Sequence, residues 1–356
     1  MADQVKSFMQ RKNIYISAKR YGIDALGAMA QGLFASLLIG TIISTIGTQC
    51  GIEFLVQAGT YAKEMQGPAM AVAIGYALQA PPLVLFSLLA VGNAACALGG
   101  AGGPLAVLVI AIIAAEFGKA ISKETPLDII LTPMVTILVG VLFAVWWAPA
   151  IGTAASSVGT FIKWATTQQP FLMGILVSVV VGMALTLPIS SAAICAALEL
   201  TGLAGGAAVA GCCAQMVGFA VMSFKENRWG GLAAQGLGTS MLQIGNIVRN
   251  PLIWIPPTLA SAITGPIATC IFHMENNGAA VASGMGTCGL VGQIGVYTGW
   301  LADVAAGTKA GVTGFDWFAL IMVCFILPGV LSFVFCQIMR HMGLIKEGDL
   351  KLDRED

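Results

Sequence analysis

The sequence predicts an all-α integral membrane protein with about ten transmembrane helices and two re-entrant hairpins. Of its 356 residues, 57% are hydrophobic and 10% are charged, well below the roughly 25% charged residues of soluble domains. Apolar stretches recur along the chain at close to the roughly 20 residues that a helix needs to cross about 30 Å of hydrocarbon. These stretches lack the period-2 alternation of outer-membrane strands, and helices satisfy their own backbone in lipid. Helices are therefore the predicted spans.

The distribution of Lys and Arg favours ten spans. Basic residues cluster at 1–21, 119–123, 225–228 and 340–354, and cytoplasmic loops carry an excess of such residues. With ten spans, all four clusters and both termini lie on the cytoplasmic side. The third and seventh spans are short and could be re-entrant. Omitting one or both of them, however, would place one of the basic clusters on the side opposite the cytoplasm. The predicted spans are 24–46, 67–80, 83–98, 104–121, 127–149, 171–187, 189–203, 204–224, 252–272 and 317–339.

One membrane domain, 22–341, accounts for most of the chain. We expect residues 1–21 to form a basic cytoplasmic segment and residues 342–356 to form a charged cytoplasmic tail. The first segment lacks the apolar region and cleavage site of a signal peptide. We therefore expect it to be retained, as an amphipathic helix on the membrane surface. Its basic residues are Lys6, Arg11, Lys12, Lys19 and Arg20.

Composition argues against several classes of function. Seventeen basic and seventeen acidic residues cancel, so net charge predicts no nucleic-acid partner. Nine cysteines show no CxxC spacing and only two histidines occur, so neither a disulfide framework nor a metal centre is predicted. The chain has no GxxxxGK[ST] phosphate loop, which argues against ATP hydrolysis. No catalytic residue and no cofactor are predicted.

Two segments do not resemble ordinary spans. The first polar segment is 229–250 and the second polar segment is 275–295. Both mix apolar residues with Gly, Ser, Thr, Asn and Gln, and both are long for simple aqueous loops. Irregular backbone at membrane depth persists only where it is buried in protein or lines a cavity, and such segments commonly form the solute site of a transporter. Re-entrant hairpins on either side of the ninth span are therefore predicted.

The densest polar cluster beside an apolar helix is Glu275-Asn276-Asn277. A carboxylate accepts hydrogen bonds from hydroxyls, and an Asn amide both donates and accepts. Together these groups could replace water around a sugar or another polyol. A solvated helix end or hairpin cap is the structural alternative. Further candidates, for which interhelical hydrogen bonding is the alternative, are Gln243, Asn246, Thr287 and Gln293.

Two further residues are candidates for coupling. His273 could shuttle protons, although a single His at a helix end is more often structural. Arg249 could neutralise an anionic solute or anchor the hairpin at the interface, and the anchor is the favoured interpretation. Glu116 and Lys119 form a local i, i+3 pair, and Gln215 faces an unidentified neighbour.

Several longer runs resemble a known family of membrane proteins. They include the run from Asn250 to Thr269, Met274-Glu-Asn-Asn277 and Gly284-Met-Gly-Thr-Cys-Gly-Leu-Val-Gly-Gln293, with Thr186 to Ile194. The chain resembles the IIC-like membrane subunits of the phosphotransferase system, in the subgroup of perfringolysin-regulator-like proteins. The likeness extends over most of the chain.

The resemblance implies a fold and a mechanism. Related IIC domains of the glucose superfamily are ten-span homodimers that move solute by an elevator-like shift of one domain. In them a Glu beside a hairpin, and often a His, contacts the sugar. Glu275 is the residue that corresponds to this Glu, and no residue here matches the His. Nothing in the chain resembles the phosphocysteine partner, so phosphorylation of cargo would require separate IIA and IIB proteins.

Three functions remain open from the sequence. The first is a homodimeric carrier of a small polar solute, such as a sugar, in the bacterial cytoplasmic membrane. The second is an ion- or proton-coupled carrier of a small organic anion, with helix N-termini near the anion. The third is a membrane sensor that binds a solute and reports it through the basic start and charged tail.

Overall fold

The computed structural model describes residues 2–352, with side chains from residue 7 onward. Met1, residues 353–356 and the side chain of Lys6 lie outside this part, and with them the ends of the predicted N-terminal segment and tail. Within the described residues the chain is helical, and its one isolated antiparallel bridge joins Gly202 and Asn276. The prediction of an all-α protein is confirmed.

Six helical stretches of the described chain are long and apolar enough to cross a membrane. They support a multi-pass membrane protein, whereas the predicted number of ten spans is not confirmed. Pro170–Thr186 is a shorter apolar helix. The six stretches are Arg20–Cys50, Pro82–Ile121, Asp128–Ala165, Gly202–Met222, Pro251–Ile271 and Gly314–His341.

The chain forms two compact units, Met1–Ala155 and Ser156–Asp356. In the first unit, a π-helical turn at Arg20–Asp24 leads into the second helix, and another at Phe34–Leu38 joins the second helix to the third. A 3-10 turn at Gly100–Gly102 joins the sixth helix to the seventh. The helices are α1 Ala2–Arg11, α2 Ala25–Leu33, α3 Ile39–Cys50, α4 Glu53–Glu64, α5 Gln66–Ala77, α6 Pro82–Gly99, α7 Gly103–Ile121 and α8 Asp128–Ala165, whose end reaches into the second unit.

The turn between α6 and α7 separates the third and fourth predicted spans. Gly100 has φ of +49°, a conformation that glycine adopts readily and other residues do not. The two helices contain 18 and 19 residues, which corresponds to about 27–29 Å at 1.5 Å per residue. A Cβ on Gly103 would lie 3.0 Å from the carbonyl oxygen of Cys96. Small residues therefore allow α6 and α7 to pack closely on each other.

The second unit contains the end of α8 and nine further helices of the described chain. These are α9 Pro170–Thr186, α10 Ser191–Ala197, α11 Gly202–Met222, α12 Phe224–Ala233, α13 Ile244–Arg249, α14 Ile255–Pro266, α15 Val291–Ala305, α16 Gly314–Ile321 and α17 Leu327–His341. π-Helical turns follow at Ala234–Gly238, Ile267–Ile271 and Met322–Ile326, and 3-10 turns lie at Ser240–Gln243, Pro251–Trp254, Ala280–Gly284 and Cys288–Leu290.

Helix α11 is the core of the second unit. It packs against α9, α14 and α17, and most of its residues are buried. Glycine makes this burial feasible, because a Cβ on Gly211 would overlap the backbone of Ser178 on α9. Close approach of small residues is how helices associate where lipid supplies little hydrophobic driving force. A buried α11 gives the neighbouring polar segments a fixed support.

The seventh predicted span, 189–203, does not form a spanning helix. Its helical part is α10, which has seven residues and is about 10 Å long. The Ser190 side chain accepts a hydrogen bond from the Ala193 backbone and caps the start of α10. Glu199 and Gly202 have positive φ values of +50° and +62°, which interrupt the helix before α11. Apolar composition here does not correspond to a continuous helix.

Candidate functional site

The first polar segment folds as a succession of short helical elements. Helix α12 runs into the π-helical turn Ala234–Gly238, and a 3-10 turn and α13, which ends at Arg249, follow. Thr239 is extended, with φ of −159°, and its hydroxyl accepts a hydrogen bond from the Met241 backbone. Thr239 thus ends the helix within the segment, because hydrogen bonds between such side chains and the nearby backbone compete with helical hydrogen bonds.

A chain of amides crosses the first polar segment. The Asn246 amide donates to Gln243 Oε1 at 2.7 Å, and the Gln243 amide donates to Gln235 Oε1 at 2.9 Å. Gln235 in turn donates to Ser223 Oγ at 2.8 Å. All four side chains are buried. The buried amides are therefore satisfied by one another, as burial requires.

The C-terminal tail occupies the remaining donors of this segment. Gln243 Nε2 donates to the Leu350 carbonyl at 2.9 Å, and Asn246 Nδ2 donates to the Lys351 carbonyl at 2.9 Å. Asn227 donates to the Leu350 carbonyl at 2.7 Å and accepts from the Leu352 backbone N–H at 2.9 Å. The Leu350 side chain is fully buried. The tail is therefore docked, rather than being a free charged extension.

Ion pairs accompany the docked tail. Lys225 Nζ lies 2.6 Å from Glu347 Oε1 with both side chains exposed, and Arg340 pairs with the buried Glu226. The hydrogen bond from Lys225 and its positive charge lower the pKa of Glu347 below its ordinary value. Exposed pairs of this kind contribute little to stability, so hydrogen bonds and Leu350 hold the tail.

The second polar segment is held mainly by its backbone and by one buried amide. Asn276 exchanges backbone hydrogen bonds with Gly202, at 2.9 and 3.0 Å. Its buried side chain donates to Ser283 Oγ at 2.7 Å and accepts from the Gly278 backbone N–H at 3.3 Å. Ser283 donates onward to the Leu200 carbonyl at 2.6 Å. Asn276 therefore shapes the turn, and its polar groups point into the protein.

Glycines of α11 let the second segment approach the core. A Cβ on Gly206 would overlap the carbonyl oxygen of Met274, and one on Gly205 would lie 2.9 Å from Ser283 Oγ. Gly286 has φ of +53°, and a Cβ there would lie 2.7 Å from Cβ of Cys212. Direct contact between backbones therefore positions the start of this segment against α11.

Glu275 and Asn277 present polar groups near the surface of the second unit. The Asn277 amide donates to Glu275 Oε2 and to Asp303 Oδ2, both at 2.9 Å. Glu275 is exposed, whereas Asn277 is partly buried. Asp303 belongs to α15, so two carboxylates from distant parts of the sequence converge on one amide. This pair with its bridging amide can accept hydrogen bonds from hydroxyl groups.

The other predicted residues do not gather around Glu275. Thr287 donates to Met216 Sδ at 3.5 Å and Gln293 donates to Cys213 Sγ at 3.1 Å, so both face α11. Gln293 Oε1 is buried without a hydrogen-bond partner. His273 is exposed, with φ of +46°. Arg249 is partly buried in the last turn of α13, in the first polar segment.

A second buried polar cluster surrounds Gln215 of α11. Gln215 Oε1 accepts from Trp254 Nε1 at 3.0 Å and from Thr186 Oγ1 at 3.3 Å, while Nε2 donates to Thr258 Oγ1 at 3.2 Å. Thr186 Oγ1 also lies 2.7 Å from Ser240 Oγ in the first segment. The sequence signal was one Gln inside an apolar run, but its direct partners come from two distant regions.

The described residues contain no group of three His, Cys, Asp or Glu side chains placed to hold a metal ion. What they combine is a set of long apolar helices and a buried central helix with two polar, broken segments packed on it. Polar broken segments supported by spanning helices are typical of membrane transporters.

The family comparison identifies the kind of transporter. Residues 23–352 match the model of the family described as phosphotransferase system, EIIC. The chain therefore belongs to that family, as its sequence runs predicted, and the family works together with IIA and IIB proteins. No curated protein and no solved structure matches the chain.

Proposed function

We propose that this protein carries a sugar across the bacterial cytoplasmic membrane, with Glu275, Asn276 and Asn277 at the centre of its solute site. The observation that carries the proposal is the exposed Glu275 carboxylate, hydrogen-bonded to Asn277 beside Asp303. A sugar presents several hydroxyls, and carboxylate oxygens accept hydrogen bonds from them strongly. Asn276 holds the turn that presents these groups.

The same charges argue against an organic anion as the solute. Glu275 and Asp303 converge on the Asn277 amide, and like charge near a bound anion weakens its binding. A neutral polyol avoids this repulsion. His273 remains a proposed coupling group. Arg249 is proposed as an anchor of the first segment.

The first segment supplies a further part of the proposed site. Gln243 and Asn246 hold the tail in this conformation, so they contact solute only after the tail leaves. Thr287 and Gln293 face α11, and we propose that they contribute when the second segment shifts. The unsatisfied Gln293 Oε1 supports this part of the proposal, because a buried acceptor without a partner is costly.

The proposed mechanism is elevator-like movement in a homodimer with ten spans, two re-entrant hairpins and both termini in the cytoplasm. All seven proposed solute-binding residues belong to Ser156–Asp356, which suits a mechanism in which one part of the chain carries the solute. Phosphorylation of the sugar is assigned to separate IIA and IIB proteins, because no catalytic residue is proposed in this chain.

The experiment is thermal unfolding of the purified full-length protein against a panel of sugars, polyols and small organic acids. A ligand that binds only the folded state stabilises it by mass action, by about 2.7 kcal/mol at a hundred times Kd. We expect a sugar to stabilise the wild type and to have little effect on Glu275→Gln. The matched control is Glu64→Gln, which removes one exposed carboxylate from the first unit.

Uptake of the stabilising sugar into vesicles completes the test. Glu275→Gln should reduce uptake at least tenfold, the loss expected for removing one hydrogen bond to a charged group, about 1.5–3 kcal/mol. Wild-type uptake by that variant would remove Glu275 from the mechanism. Stabilisation by anions alone would favour the coupled carrier instead, and binding without uptake would favour the sensor.

A further inference from the structure

A basic cavity lies in the first unit, which contains none of the proposed solute-site residues. Its volume is about 380 Å³, close to the lower end of the roughly 300–1,000 Å³ of small-molecule sites. It lies where α7 ends and the chain turns toward α8, beside the turn between α5 and α6 and the residues after α1. Its lining includes Arg11, Lys12, Gln79, Lys119, Lys123 and Glu124.

Lys119 is the buried element of this cavity. Its side chain is 1% exposed, and Nζ lies 2.8 Å from Glu116 Oε2. Nζ also donates to the carbonyls of Asn13, at 2.8 Å, and Leu78, at 3.1 Å. These bonds fix the ammonium group in place. A fixed, desolvated cation has a stronger effect on a nearby anion than a solvated one.

Arg20 reinforces the same position. Its guanidinium donates to the Leu78 carbonyl at 2.6 Å and to the Asn13 side chain at 3.2 Å. Its Nε is buried without a hydrogen-bond partner. Carbonyl oxygens of the α5–α6 turn and of the residues after α1 are therefore bound by two cations, Lys119 and Arg20.

The cations exceed the carboxylates that face them. Glu124 pairs with both Arg11, at 2.8 Å, and Lys12, at 2.5 Å. Glu116 pairs with Lys119, and Asp128 accepts the Lys123 backbone N–H at 2.6 Å. Three of the cations pair with two carboxylates, and with Arg20, Lys123 and Asp128 this region holds five cations and three carboxylates. The excess positive charge favours an anion in the cavity.

We propose that this cavity binds a phosphate group. A phosphate offers several strong acceptor oxygens to convergent Lys and Arg side chains, and the Gln79 amide at the cavity can add a neutral donor. Basic pockets between membrane helices on the cytoplasmic side bind phospholipid headgroups. The same chemistry would hold the phosphate of a soluble ester. The site is independent of the proposed solute site, since its residues belong to Met1–Ala155.

The test measures stabilisation of full-length protein in neutral detergent at constant ionic strength. One arm adds inorganic phosphate or glycerol 3-phosphate in place of chloride. The other adds mixed micelles that contain phosphatidylglycerol in place of phosphatidylcholine. Stabilisation in the first arm identifies a soluble phosphate ester, and stabilisation in the second arm alone identifies the lipid headgroup. Either result supports the site, and no effect in both arms overturns it.

Two variants assign the effect to the cavity. Lys123→Gln removes one exposed charge and should weaken half-maximal stabilisation about fivefold, whereas Lys12→Gln with Lys123→Gln should weaken it about thirtyfold, at about 1 kcal/mol per basic residue. The matched control is Lys346→Gln, which removes an exposed lysine from the second unit and should retain wild-type response. Equal weakening in that control would overturn the assignment. Glu275→Gln should also respond normally, which separates this result from failure of the proposed sugar site.

Discussion

The two polar segments have similar compositions but are stabilised in different ways. In the first segment, buried amides are joined in a chain and the C-terminal tail takes their remaining donors. In the second segment, backbone packs directly on the glycines of α11, and Glu275 remains exposed. Polar residues in a membrane helix bundle can therefore be buried and paired in one place and exposed in another.

This difference separates two mechanical roles. A segment held by side-chain hydrogen bonds to a tail can be released when the tail leaves, because each such bond contributes only about 0.5–1.5 kcal/mol net. A segment that packs on glycines leaves no space for a side chain at those glycines, because protein interiors are close-packed. We therefore expect the first segment to be released more easily than the start of the second segment can separate from α11.

The largest expected effect is that of Gly206→Ala. Its new methyl group would overlap the Met274 carbonyl oxygen, so the second segment must move away from α11, at a cost of about 3 kcal/mol or more. Thermal or denaturant unfolding in detergent measures it. The matched control is Gly236→Ala in the first segment, where the new Cβ would lie 3.5 Å from Cβ of Ala220. Equal destabilisation by the two variants would erase the distinction between the segments.

Deletion of the tail after Glu347 should have the next largest effect. It removes the carbonyls that bind Gln243, Asn246 and Asn227, together with the buried Leu350 side chain. We expect local opening of 225–249 to become easier by about 2 kcal/mol, the size of one buried Leu. Hydrogen exchange measures this as faster exchange there and unchanged exchange at 275–290. Uniform acceleration in both segments would contradict a local role for the tail.

A smaller effect is expected from Asn246→Ala. In the full chain it removes hydrogen bonds to Gln243 and Lys351 and should lower the free energy of unfolding by about 1 kcal/mol. In the tail-deleted chain the bond to Lys351 is already gone, so the cost should fall by about half. A double-mutant cycle measures the difference. Strict additivity would show that Asn246 does not hold the tail.

The smallest expected effect is the pH dependence of tail docking. Lys225 lowers the pKa of Glu347 below its ordinary value of 4.5. A lowered carboxyl pKa stabilises the folded state above the unfolded-state value, and this contribution is lost as pH falls through the folded-state value. Docking should therefore weaken slightly below about pH 4.5. Hydrogen exchange at 225–249 should therefore become faster at low pH in the wild-type protein because docking weakens, and Glu347→Gln should lack this pH-dependent weakening. The difference should shrink in high salt.

Much of the fold could be predicted from local sequence. Apolar runs identified long helical stretches such as Asp128–Ala165, Gly202–Met222, Pro251–Ile271 and Gly314–His341, because hydrophobic length determines which stretches can cross lipid. The run 189–203 shows the limit of that argument. It is apolar enough to suggest a span, yet Glu199 and Gly202 with positive φ leave only the short α10. Apolar content does not distinguish burial in protein from burial in lipid.

The candidate site was less accessible to prediction. Gln243 and Glu275 both stood out as polar residues in segments that interrupt the helices. The partner of Glu275 is the nearby Asn277, whereas the partner of Gln243 is the distant Leu350. A neighbour two residues away can be anticipated, whereas one 107 residues away cannot. The Gln215 cluster was missed for the same reason, because Thr186, Ser240 and Trp254 come together only in the folded unit.

The sequence by itself determined that this is an all-helical membrane protein and which family it belongs to, because both follow from runs of residues that are continuous along the chain. Only the tertiary structure decided which polar groups are already satisfied. That outcome depends on contacts between distant residues, such as Gln243 with the tail and Asn277 with Asp303. A buried polar group must be hydrogen-bonded wherever its partner comes from, and composition does not specify the partner.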